Sequence, residues 1–196
     1  GGKVDGGKAD ANGVDIALAD GKTLRFDAVV AGLGVTPNIE LAQQAGLKVD
    51  NGIVVDDRLR TSDPDIFAAG DVANFHNAAL DARLRVEHEN AAISMGHHAG
   101  RIMTGANDAY TTLPFFYSDL FDLGYEAVGS LDDRLDVVEF WTQPNREGVV
   151  YYLDDGCVRG VLLWNVWGQV DAARELIAER GHHDAESLRG RLPKLA

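Results

Sequence analysis

Cysteine is nearly absent: the 196 residues hold one, Cys157. A single thiol excludes an internal disulfide and a Cys-x-x-Cys redox pair, and a reducing cytoplasm is the expected setting. Long apolar runs are missing as well. No stretch approaches the roughly 18 residues of a membrane span, and no signal-peptide pattern opens the sequence. Basic residues are scarce, 18 Lys and Arg against 31 Asp and Glu, for a net charge of −13. That balance repels phosphates and argues against nucleic acid as a partner; it suits solubility or a basic protein partner. The histidine pairs His97-His98 and His182-His183 have no cysteine or carboxylate at ligand spacing, and neighbours on one helix point apart, so no metal is expected. No Ser-His-Asp arrangement or paired-carboxylate spacing is readable either. There is no initiating methionine, and five glycines fall in the first 13 residues. The start reads as the interior of a longer protein.

What the sequence does contain is centred on residues 61–71. Ser62, Asp63, Pro64 and Asp65 form a turn signal that feeds the apolar run 66–69, which stops at Gly70-Asp71. A short apolar run bounded by turns predicts a buried strand of a parallel sheet. Gly-Asp at the carboxyl end of such a strand sits where ligands meet open α/β sheets. The glycine lets a ligand reach the main chain, and the carboxylate accepts hydrogen bonds from hydroxyls. The plainer alternative is a strand ending in a common turn pair.

Around this stretch, residues 14–19 and 24–26 alternate as a hairpin about Asp20-Gly21, and residues 27–34 predict a second buried strand. Thr36-Pro37-Asn38 reads as a helix start, capped by Thr36 or Asn38, with Gly46 as its stop. Asn51-Gly52 turns into a strand at 53–55. After Asp71 the chain reads as helical, with a periodic helix over 87–103 ended by Gly105. The helix N-terminus near Glu87 and His88 favours an electron-rich ligand. Residues 107–113 read as a linker. Strands follow at 128–129, 137–141, 149–153 and 157–164, with Asp154-Asp155-Gly156 as a hairpin turn. Helices at 168–180 and 184–191 close the chain. The expected fold class is an α/β portion plus a small α+β carboxyl-terminal domain, an antiparallel sheet followed by helices.

Four segments in order resemble the carboxyl-terminal half of FAD-dependent pyridine nucleotide-disulfide-type oxidoreductases, most of all apoptosis-inducing factor and the ferredoxin and rubredoxin reductases. They are Asp27 through Asn38, Thr61 through Asp71, Arg85-Val-Glu-His-Glu89 with Ala99-Gly100 and Met103-Thr-Gly105, and Leu113 through Leu120 with Gly124-Tyr-Glu126 and Leu163-Trp-Asn165. The resemblance implies the tail of an NAD(P)-binding domain over 1–30, the end of an FAD-binding domain over 31–110, and a reductase-type carboxyl-terminal domain over 111–196. It implies FAD and NAD(P)H as cofactors. Gly70 and Asp71 would contact FAD along its ribityl region. His88 and Glu89 would sit at the isoalloxazine, with Tyr117 beside the ring. Gly32, Glu87, Glu126 and Asn165 would lie near the nicotinamide nucleotide. Hydride would pass from NAD(P)H to FAD, and electrons onward to ferredoxin, rubredoxin or a small acceptor, with a homodimer possible. Relatives carry tryptophan where this chain has Tyr117, and the segment 117–126 looks one residue short of their pattern. Neither Gly-x-Gly-x-x-Gly fingerprint is present, so the chain alone is expected to be inactive. The alternative is a flavin-free interaction module working through its acidic surface.

Overall fold

A computed structural model describes residues 2–192, and the chain forms two compact units, 1–36 and 37–196. Gly1 and residues 193–196 lie outside the described residues, and the last helix, expected over 184–191, is shorter, spanning Ala185–Leu188.

The first unit is a three-stranded antiparallel sheet of β1 (Val4–Asp10), β2 (Gly13–Leu18) and β3 (Thr23–Phe26), in that order. The β2–β3 hairpin is the expected one. β1 lies in the glycine-rich opening, to which no element was assigned; pairing along β2 outweighs the poor strand propensity of Gly6 and Gly7. The buried strand expected at 27–34 does not form. Val30 is 99% and Leu33 92% exposed, and no strand among the described residues pairs with the run. β-branched residues favour extended backbone, but a strand exists only through a neighbour's hydrogen bonds.

The second unit opens with α1 (Glu40–Gln44), shorter than expected and without a side-chain cap from Thr36 or Asn38. β4 (Ile53–Val54) pairs in parallel with β5 (Ala73–Asn77), which pairs antiparallel with β6 (Ala82–Leu84). The strand expected at 66–69 is a correction. Phe67 makes only an isolated bridge to Arg60, Ala68 N–H donates to Leu59 O, and Thr61 N–H donates to Ile66 O. The Asp63-Pro64 turn folds the run back on residues 59–61 and uses its backbone groups there. The strand comes after Gly70-Asp71, and β5 and β6 stand where helix was expected. The fifteen-residue α2 (Glu89–Met103) buries Ala91, Met95, Ala99 and Ile102. Met95 and Ala99 join Val55, Leu59, Phe75 and Tyr110 in one core.

The rest is a five-stranded antiparallel sheet. Its strands are β7 (Phe115–Leu120), β8 (Leu123–Gly129), β9 (Asp136–Gln143), β10 (Glu147–Asp154) and β11 (Cys157–Trp164), in the order β7-β8-β11-β10-β9. The Asp154–Gly156 hairpin forms as expected. β7 and most of β8 were not foreseen as strands. α3 (Val170–Ala178) lays Ala173, Leu176 and Ile177 on Val128, Val161 and Leu163. α4 (Ala185–Leu188) is closed by an Asp184–Ser187 capping box, worth about 1 kcal/mol. Leu80, from the β5–β6 turn, is buried in this second core, and buried Asn77 holds that turn through Leu80 N–H and Thr112 O. The α/β portion and the α+β portion are thereby joined. No described helix is long and apolar enough to cross a membrane.

Candidate functional site

Gly70 opens a 3-10 turn, Gly70–Val72, with φ +75. Only glycine takes that backbone without strain. Asp71 beside it is exposed. The start of α2 folds against this turn: a Cβ placed on Gly70 would lie 3.5 Å from the Ala92 Cβ. His88 is the N-cap residue, and no side chain caps the helix. The first-turn N–H groups are therefore open to an acceptor.

The edge strand β7 supplies the opposite wall. Glu87, His88 and Ile93 on one side, with Phe116 and Tyr117 on the other, line an open cavity of about 550 Å³. The His88 ring packs 4.7 Å from the Phe116 ring, tilted 34°. Tyr117 is 57% exposed at the rim and stacks on Phe115. Burial pushes the His88 imidazole below its ordinary value, against the pull of the Asp71 and Glu87 carboxylates. At neutral pH the ring is uncharged. Its Nδ1 is buried and has no hydrogen-bond partner, and a buried polar atom left so invites a ligand.

Arg85 binds these pieces together. Its Nη1 donates to the Asp71 carbonyl oxygen at 3.0 Å and to Glu87 Oε1 at 2.8 Å, and its Nε donates to Asn51 Oδ1 at 3.1 Å. Sequence reasoning gave Arg85 no role. The available signal was its position two residues before Glu87 in an extended segment, which puts both side chains on one face. Phe116 and Ile93 were also missed.

Gly70, Asp71, Glu87, His88, Glu89 and Tyr117 thus gather in one region. Glu126, on β8, lies directly across from Tyr117. Its Oε2 is buried without a partner, and burial raises its pKa, opposed by a backbone hydrogen bond from Gly168. Asn165 is placed differently: its Oδ1 accepts from Gly124 N–H at 2.7 Å and its Nδ2 donates to Arg146 O at 2.9 Å. Those bonds tie the end of β11 to β8 and to the β9–β10 turn. Gly32 is exposed in the first unit, outside any strand.

A larger cavity, about 1040 Å³, is lined by Trp141, Glu139, Arg189 and Leu192 on another part of the sheet. It contains none of the converging polar groups, so size is the poorer guide. The smaller site fits a flat, polar-edged ring. The lining offers an aromatic wall and the His88 imidazole, and beside the start of α2 a glycine next to an exposed carboxylate can take a hydroxylated chain.

Residues 2–96 match the family described as pyridine nucleotide-disulphide oxidoreductase, and residues 99–147 and 143–179 match apoptosis-inducing factor, mitochondrion-associated, C-term. The chain is 36% identical over 180 residues to mitochondrial apoptosis-inducing factor 1 of Dictyostelium discoideum, covering 84% of this chain and 34% of the relative. It is 36% identical over 167 residues to putidaredoxin reductase of Pseudomonas putida, covering 84% of this chain and 39% of the relative. Among solved structures, a ferredoxin reductase from Rhodopseudomonas palustris superposes with a TM-score of 0.83 at 32% identity, over 95% of this chain and 46% of that one. The covalent putidaredoxin reductase–putidaredoxin complex gives 0.82 at 29% identity, over 99% and 49%. The chain spans 34% to 45% of the length of the first curated relatives it matches.

Proposed function

The chain belongs to the pyridine nucleotide-disulphide oxidoreductase family, as the carboxyl-terminal half of its apoptosis-inducing factor and ferredoxin reductase branch, and from that premise we propose that it is part of a flavin-dependent NAD(P)H oxidoreductase. The observation that carries this is the convergence of the Gly70-Asp71 turn, the uncapped start of α2, and the β7 aromatics around the unpartnered His88 Nδ1.

Held by these residues, FAD would supply the chemistry of accepting hydride from NAD(P)H and passing electrons to an acceptor. The remaining work belongs to the chain's own residues. Gly70 leaves the main chain approachable, and Asp71 accepts hydrogen bonds from ribityl hydroxyls. The open N–H groups at the start of α2 favour negative charge beside them. His88, uncharged at neutral pH, offers Nδ1 to a polar ring edge. Glu87 and Glu89 flank it, and Tyr117 forms the aromatic wall. Glu126 lies one strand further and belongs to the nicotinamide side of the proposal with Asn165; Gly32, in the first unit, is proposed separately as a nucleotide contact. Asn165 would serve there by fixing the end of β11, since its amide already holds Gly124 and Arg146.

In domain terms, 1–30 would close an NAD(P)-binding domain, 31–110 would complete an FAD-binding domain, and 111–196 would be the reductase-type carboxyl-terminal domain. The acceptor would be a ferredoxin-type protein, a choice supported by the named reductases, or else a rubredoxin or a small acceptor, and a homodimer is part of the same reading. The second reading, a flavin-free interaction module, is favoured by the net charge of −13 and the missing pyrophosphate-binding fingerprints. Anaerobic addition of NADH or NADPH to the FAD-loaded protein carrying this chain separates the two. Bleaching of the flavin band, reversed by an oxidised ferredoxin or rubredoxin, is the expected result. A protein that takes up no FAD would favour the interaction module.

A further inference from the structure

Arg85 lies between β6 and α2, and its side chain is only 11% exposed. A charge so covered is costly unless its donors find acceptors. Three acceptors converge on it, and each comes from a different part of the fold. Asn51 Oδ1 belongs to the turn before β4, the Asp71 carbonyl to the 3-10 turn, and the Glu87 carboxylate to the approach to α2. The path of the side chain also depends on a vacancy. Gly52 sits at φ +115, and a Cβ there would come 2.8 Å from Arg85 Cδ and 2.5 Å from Val72 O. The forked guanidinium can hold all three acceptors at once, which a lysine ammonium on its single stem does not reproduce. Arg85 is not among the residues lining the cavity, so it acts through its neighbours.

We propose that Arg85 is a positioning residue that ties the Gly70-Asp71 turn to the start of α2, so that both meet one bound cofactor. The proposal rests on the flavin reading above. It has a second consequence: the guanidinium offsets the Glu87 carboxylate beside His88. The charges acting on His88 are the carboxylates of Asp71, from the turn, and Glu87, from the segment before α2. Glu89 from α2 and Tyr117 from β7 share its cavity, and the Phe116 ring packs on it.

The test compares Arg85→Met, Arg85→Lys and the double variant Arg85→Met/Glu87→Gln in the protein that carries this chain. FAD affinity is read by quenching of flavin fluorescence, and the His88 titration midpoint by NMR. Arg85→Met should weaken FAD about tenfold or more, the scale of losing charge-assisted hydrogen bonds. It should also raise the His88 midpoint, because Glu87 loses its counter-charge. The double variant should return the midpoint toward wild type while FAD stays weak. Arg85→Lys should keep the midpoint and still bind FAD poorly, and it decides the matter if Arg85→Met does not fold. Full rescue by lysine, or wild-type affinity with an unmoved His88 in Arg85→Met, would overturn the proposal. A wild-type protein carrying this chain that takes up no FAD counts against the flavin reading; Arg85 is then judged on the His88 midpoint alone, where no change rejects it.

Discussion

Gly52→Ala is the substitution on which the packing around the site can be tested most sharply. Two costs add. The first is conformational: φ +115 is left-handed-side backbone, and holding alanine there costs about 1–3 kcal/mol. The second is steric. The new Cβ would lie 2.5 Å from Val72 O and 2.8 Å from Arg85 Cδ. The arginine methylene can swing aside, but the carbonyl belongs to the 3-10 turn beside Asp71, so that turn must move. Overpacking of this kind costs about 1–3 kcal/mol. Together these give roughly 2–6 kcal/mol against a net stability of about 5–15 kcal/mol for a typical domain. At roughly 2–4 °C per kcal/mol for a chain of this size, the midpoint should fall by about 4 °C at the least and by about 24 °C at the most. Differential scanning calorimetry of the two chains is the assay. A variant melting within about 1 °C of wild type would refute the clash and the Arg85 path drawn over Gly52.

Gly96→Ala is the opposite case: Gly96 lies on the exposed face of α2, and an added Cβ meets nothing within 4 Å. It should stabilise by about 0.5–1 kcal/mol, read as a rise in melting temperature; a fall would mean α2 is misplaced. Glu126→Gln tests the buried carboxylate. Its folded pKa is raised by burial, so the stability it supplies is complete below its unfolded value and is lost as pH rises through the folded one. The glutamine variant should gain on wild type as pH rises from about 4 to 8 in melts, and parallel curves would contradict this. His88→Gln tests the depressed imidazole: the neutral ring's contribution is complete above about pH 6.5 and fades as pH falls through its lower folded value. Wild type should therefore lose more melting temperature between pH 8 and 5 than the variant does. An imidazole seen by NMR to titrate above 6.5 would contradict it.

Much of the carboxyl-terminal sheet was legible because its strands announce themselves locally. The Asp154–Gly156 turn fixes the β10–β11 hairpin, and the 3.6-residue spacing of Ala91, Met95, Ala99 and Ile102 fixes α2. The failures share a cause in long-range pairing. Residues 27–34 have strand composition but no partner among the described residues, whereas glycine-rich β1 has poor composition and a partner in β2. Residues 66–69 were misread because the Asp63-Pro64 turn spends their hydrogen bonds on residues 59–61. At the site, Gly70, Asp71, Glu87 and His88 were readable as motif residues. Arg85 was not, since its three acceptors are spread over 37 positions, from Asn51 to Glu87. Asn165 has a polar side chain at a strand end, and only the fold reveals that both ends of its amide are engaged.

The central claim is that the Gly70-Asp71 turn and the start of α2 form half of a flavin site. Its most direct measurement is an FAD titration of the protein that carries this chain, with His88→Ala and Asp71→Ala beside wild type and folding verified by circular dichroism. The account predicts saturable uptake by wild type, with Asp71→Ala weaker by about tenfold, roughly one charge-assisted hydrogen bond, and His88→Ala by about threefold to tenfold, roughly one neutral hydrogen bond. No uptake by wild type, or equal affinity in all three, would contradict it.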